Sequence, residues 1–201
     1  MRKLWIVGRS CILEWGTMIT EIFWIDGIQR GRLGISARPR GGDWLEDEIQ
    51  AWRAAGVDVV VSLLTPAEVS ELALEDEEAA CQRQGMDFRS LAIPDRGVPP
   101  SIDSLSQLMA ALRAALDSGK SVAVHCRQGI GRSSMVAAMV MMSSGEEPDH
   151  ALQRIEKARG CAVPDTPEQR NWILHFAGAV NQNAQQTDRS YRRVSAPKSH
   201  A

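Results

Sequence analysis

The 201-residue sequence predicts an α/β domain with a central, mostly parallel twisted sheet flanked by helices. Three observations carry that prediction. Short apolar runs alternate with segments of helical period, and no internal repeat interrupts them. Residues 57–64 are apolar except for Asp58 and Ser62, as befits a strand covered on both faces. Residues 121–124 form a similar run, which leads through a glycine-bearing loop into the long apolar run 135–142.

Residues 1–20 show no clean period and are assigned to an N-terminal extension. Arg2 and Lys3 precede a short apolar run there, but it stops at Arg9, too early for the core of a signal peptide. No stretch is long and apolar enough to be expected to enter a bilayer. Residues 22–25 and 33–36 read as short strands around the turn Asp26-Gly27. Gly41-Gly42-Asp43 opens a helix whose Leu45, Ile49 and Trp52 share a face, and Gly56 ends it. After the strand at 57–64, residues 66–85 are helical and acidic. Their Glu68, Glu71, Glu75, Asp76, Glu77 and Glu78, set against Arg83, read as a solvated face rather than a partner site. Residues 88–93 form the next strand and run into the proline-rich loop 94–100. Ser101 caps the following helix, with Leu105, Leu108, Leu112 and Leu116 inward and Gly119 at its end. Beyond the apolar helix, Glu147-Pro148-Asp149 opens another, with Leu152 and Ile155 inward and Gly160 closing it. Thr166-Pro167-Glu168-Gln169 starts the last, which carries Trp172, Ile173 and Phe176. The folded domain is expected over residues 21–183, and 184–201 as a disordered, mildly basic tail.

The chemistry concentrates in His125-Cys126-Arg127-Gln128-Gly129-Ile130-Gly131-Arg132-Ser133-Ser134. Strand, glycine loop and helix together build an anion cradle. Loop N–H groups curl inward, and the unpaired N–H groups and positive dipole end of the helix face the same point. Cys126 stands at the mouth of this cradle, where the surrounding charges and dipoles favour a thiolate. Arg132 closes it, with a planar fork that matches two phosphate oxygens. A nucleophile already inside an anion site points to phosphoryl transfer onto sulfur, followed by hydrolysis to inorganic phosphate.

His125-Cys126, five intervening residues and Arg132-Ser133, with Gly129-Ile130-Gly131 between, resemble the signature loop of the protein tyrosine phosphatase superfamily. The loop's mid-chain position and the domain's size resemble the compact dual-specificity branch, over about residues 22–180. The resemblance implies Cys126 as nucleophile and a phosphate site formed by Arg127, Gln128, Gly129, Ile130, Gly131 and Arg132. It also implies that Ser133 donates to the sulfur as it leaves, and that His125 supports the loop from beneath. The family takes its general acid from an upstream loop, where Asp95 stands in Ile93-Pro94-Asp95; by itself Pro-Asp is also a common turn opening. Pro164-Asp165 is a similar dipeptide and ranks below it. Gln169 matches a water-positioning glutamine of the tyrosine-specific enzymes, yet Thr166-x-x-Gln169 is equally a capping box. Arg127 adds positive potential at the rim, and Arg96 either touches substrate or is solvated.

The resemblance therefore implies a phosphomonoester hydrolase acting on phosphotyrosine, and on phosphoserine or phosphothreonine, in a phosphorylated protein. A phosphoinositide, inositol phosphate or nucleotide phosphatase is the alternative, and a silent phosphate-binding module stands further off. No cofactor and no metal is called for. A formal net charge of −2 argues against a nucleic-acid partner. The four cysteines, 11, 81, 126 and 161, lie too far apart for a zinc site or a disulfide scaffold, which favours a reducing, cytoplasmic setting. Cys81 and Cys161 are expected as small buried apolar residues, although either is a conceivable disulfide partner of Cys126. His150 and His175 have no context suited to catalysis and are expected at the surface or in packing.

Overall fold

Valine-rich runs in extended chain place alternate side chains on opposite faces, and the sheet uses both. In the computed structural model, which describes residues 19–176, β1 (Ile22–Trp24), β2 (Arg32–Ala37), β3 (Val59–Ser62), β4 (Asp87–Ser90) and β5 (Ser121–Cys126) form one sheet. Their order is β1-β2-β5-β3-β4, with β1 antiparallel to β2 and every other pair parallel. β5 is central, with Val124 between Ile35 and Val61.

Val59, Val61, Val122 and Val124 pack on one side against α4 (Ile102–Asp117), α5 (Arg132–Met142), α6 (Pro148–Arg159) and the helix 167–176 (α7). Val60 and Ala123 face the other side, covered by α1 (Leu45–Ala54), α2 (Pro66–Glu71) and α3 (Glu77–Arg83). Every residue of α5 is buried. With each large apolar side chain contributing about 1.5–3 kcal/mol on burial, that helix is anchored along its whole length. It therefore holds its N-terminus, and the loop entering it, in a set position.

Several sequence expectations need correction. The strands expected at 57–64 and 88–93 are shorter, at Val59–Ser62 and Asp87–Ser90, although single backbone hydrogen bonds from Leu63, Leu91 and Ile93 run on past their ends. Residues 66–85 are not one helix but two. The chain breaks at Ala73, which adopts φ 51°, and the Ala73 carbonyl accepts from the Gly42 N–H at 2.8 Å. A side chain at Gly41 would meet the Leu72 carbonyl oxygen at 1.9 Å, so the break depends on a close approach between segments distant in sequence. The acidic segment is a solvated face only in part: Glu71, Glu75, Asp76 and Glu78 are exposed, but Glu68 and Glu77 are buried. No described helix is long and apolar enough to cross a membrane. Most of the N-terminal extension and all of the tail lie outside the described residues.

Candidate active site

The parallel register brings His125 and Cys126 to the carboxyl end of β5, opposite Ser36 and Ala37 of β2. This is where open α/β sheets place their ligand crevices. Residues 127–131 then curl into the N-terminus of α5. Gly129 makes the curl possible: it sits at φ 67°, and a side chain there would meet the Ser36 carbonyl carbon at 2.4 Å. Arg159, at the end of α6, donates to the Gly129 and Gln128 carbonyls at 3.0 and 3.2 Å while its guanidinium lies over the Phe23 ring. With those carbonyls tied outward, the loop is free to present its N–H groups inward.

A cavity of about 110 Å³ opens above the loop, and its wall includes Cys126, Gln128, Ile130, Gly131 and Arg132. The Cys126 sulfur is buried beneath it, with the Ser133 hydroxyl 3.6 Å away, within reach to donate to a thiolate. Arg132 is held on nearly every side. Its Nη1 donates to Glu68 Oε2 at 2.7 Å and to the Ile93 carbonyl at 2.9 Å, and its Nη2 to Glu68 Oε1 at 2.8 Å and Asp95 Oδ1 at 2.9 Å. Of the five N–H donors of a guanidinium, only the Nε–H has no partner among the described residues. A phosphate gripped by Nε and Nη2 must therefore take the donor that Asp95 occupies. Burial alone would raise the Glu68 carboxyl, but hydrogen bonds from Arg132 and Thr65, with the guanidinium charge, bring it down to about 2. Glu68 is thus a permanent anion behind a permanent cation.

Asp95 reaches the cavity from the loop after β4, and Asp165 lines the same wall. The Pro164-Asp165 dipeptide, ranked lower from sequence, thus stands beside the expected acid, with its Oδ2 3.2 Å from Arg96 Nη1. Gln169 makes both capping-box bonds with Thr166 and also donates to the Gly97 carbonyl at 3.0 Å, so the cap itself borders the cavity. Beneath the loop, His125 Nε2 lies 2.9 Å from Glu77 Oε1, both fully buried, with the Trp52 ring beside the imidazole. Arg127 does not stand free at the rim as expected: its guanidinium binds both carboxylate oxygens of Glu71.

Cys81 is buried, and burial together with Glu77, Glu78 and Glu46 pushes its thiol up to about 12, leaving it neutral and unreactive. Cys161, expected to be buried, is exposed because it follows α6 on the surface. No disulfide forms among the described residues. His150 and His175 are exposed. Sequence reasoning missed Glu68, Glu71, Glu77 and Arg159. For Glu68 a signal existed, since Thr65-Pro66-Ala67-Glu68 is a capping box just past the carboxyl end of a central strand. Glu71, Glu77 and Arg159 carry no such mark.

Comparison with known proteins agrees with this geometry. Residues 34–146 match the family described as Tc-R-P, "Polymorphic toxin system, DSP-PTPase phosphatase". Cyclin-dependent kinase inhibitor 3 of Rattus norvegicus is 26% identical over 134 residues, covering 66% of this chain and 63% of that protein, so the chain spans less than two thirds of that relative. The crystal structure of kinase-associated phosphatase with its catalytic cysteine replaced by serine superposes with a TM-score of 0.73 at 20% identity, over 83% of this chain and 98% of that one. Tk-PTP in its active form gives a TM-score of 0.62 at 26% identity, over 77% and 96%.

Proposed function

The chain belongs to the DSP-PTPase phosphatase family, and from that premise we propose that it hydrolyses phosphomonoesters through a cysteinyl-phosphate on Cys126. One observation carries the reading: a buried sulfur lies at the base of a cavity whose wall holds an arginine with one fork edge occupied only at Nη2, by the half-exposed Asp95. Phosphate binding at Nε and Nη2 of Arg132 displaces Asp95. The freed carboxyl, once protonated, gives its proton to the departing alkoxide or phenolate while the sulfur attacks phosphorus. In the second step water attacks the phosphorus, Asp95 takes the proton back, and Ser133 donates to the sulfur as it departs.

Phosphotyrosine in a protein is the substrate that best suits the buried sulfur, with phosphoserine and phosphothreonine accepted as well. The catalytic domain is assigned to residues 21–183. A reducing, cytoplasmic setting is inferred from the described cysteines, all free thiols, and from a mechanism that needs a reduced sulfur. Phosphate release from p-nitrophenyl phosphate without added metal tests the proposal. Steady release by the wild type and none by Cys126→Ser is the expected result, and equal rates overturn it.

A further inference from the structure

Arg96 and Arg132 line the cavity, Arg127 lies close enough to feel the charges of Glu68 and Asp95, and all are already engaged. Arg127 gives Nη1 to Glu71 Oε2 at 3.0 Å and Nη2 to Glu71 Oε1, and Glu68 Oε1 stands 3.9 Å from the same guanidinium. Arg96 faces Asp165. Arg159 is spent on loop carbonyls, and Arg132 on Glu68 and Asp95. Arg38 adds a positive field at Glu71, but its own Nη1 is bonded to the Pro39 carbonyl. The loop holds no lysine.

A single phosphate meets this arrangement well, because the one contact it must break is the Arg132–Asp95 pair, and the released acid is then used. A second phosphate on the same substrate meets a different situation. To reach Arg127 it must strip away Glu71, and that carboxylate then remains at the rim as a like charge.

We propose that Glu71 is a specificity-determining residue, which by holding Arg127 makes the cleft select singly phosphorylated substrates over poly-anionic ones. This rests on the phosphatase reading above and narrows it. It also limits the positive potential that Arg127 was expected to add at the rim. The Arg127–Glu71 contact is exposed, so its effect is moderate and screened by salt.

The test compares wild type with Glu71→Gln on a phosphotyrosine peptide and on the same peptide carrying a second phosphate two residues away. The expected result is a rise of about three- to fivefold in kcat/KM for the doubly phosphorylated peptide relative to the single one. The rise should fade at high salt and vanish in Glu71→Gln/Arg127→Ala. An unchanged ratio, or a rise that survives loss of Arg127, overturns the proposal. Absence of any turnover would sink the phosphatase reading instead. The same ratio is then read as binding of the two peptides to Cys126→Ser protein with and without Glu71→Gln, where an unchanged ratio again overturns the role of Glu71.

Discussion

The two loops that meet at the cavity are built in opposite ways. The nucleophile loop is buried and backed by α5, with Cys126 3% and Arg132 1% exposed, and Arg159 ties its carbonyls. The acid loop lies on the surface. The Asp95 side chain is 59% exposed, and the next residue, Arg96, sits at φ 56°, a strained conformation for a residue with a side chain. Arg132 joins the two, and the strength of its partners decides which contact yields. Breaking a buried pair such as Arg132–Glu68 costs about 3–5 kcal/mol, because a charge is left stranded. The part-buried Arg132–Asp95 contact is the weaker of the two, because Asp95 is open to water and keeps its solvation when the contact breaks. On the proposed mechanism an arriving phosphate would therefore displace Asp95 and leave Glu68 in place. The cradle would thus be preformed, and the acid would be one that the substrate itself releases.

The severest way to break this comparison is Cys126→Ser. Turnover should fall to background, while tungstate binding, followed by calorimetry, persists because the cradle is intact. Next comes Asp95→Asn, for which kcat should drop about 10²–10⁴-fold, more on an alkyl than on an aryl phosphate, with the melting temperature nearly unchanged. Equal losses on the two esters would remove Asp95 from the acid role.

Glu68→Gln should reverse that pattern by lowering stability as well as kcat/KM, since it leaves Arg132 buried without its anion. The pH dependence follows from the carboxyl's depression from 4.5 to about 2. A depressed folded-state value gives stability that is fully present above the unfolded value and lost as pH falls through the folded one. The gap in melting temperature between wild type and Glu68→Gln should thus be widest above about pH 5 and close toward pH 2. A gap independent of pH would mean that Glu68 acts by packing alone.

The mildest change, Gln169→Ala, sharpens the acid-loop side. Loss of the α7 cap should cost about 1 kcal/mol in unfolding experiments. Accumulation of phospho-enzyme in a rapid-quench assay would show that the amide also handles the hydrolytic water, and its absence would leave Gln169 a cap that steadies Gly97.

Much of the molecule was legible because the signals are local. Strands, helix caps and the loop 125–134 are written in adjacent residues, where alternation, helical period and glycine placement need no knowledge of distant chain. The same holds for Ser101, whose hydroxyl accepts from the Ser104 N–H as its position predicted. Glu68 and Glu77, in the acidic run 66–85, were misread for the opposite reason. A glutamate is solvated or buried according to what the fold sets against it, and neither Arg132 nor His125 lies near that run in sequence.

By itself, then, the chain's order of residues determined the α/β architecture, the cradle between β5 and α5, and the pairing of a thiol with an arginine inside it. Only the tertiary structure decided which carboxylates hold that arginine, which of them is buried, and that Arg127 is already matched. The physical reason is that β3 lies beside β5 in the sheet. That adjacency carries α2 and α3 beneath the loop, and it sets Glu68 against Arg132 and Glu77 against His125, residues that no short-range pattern connects.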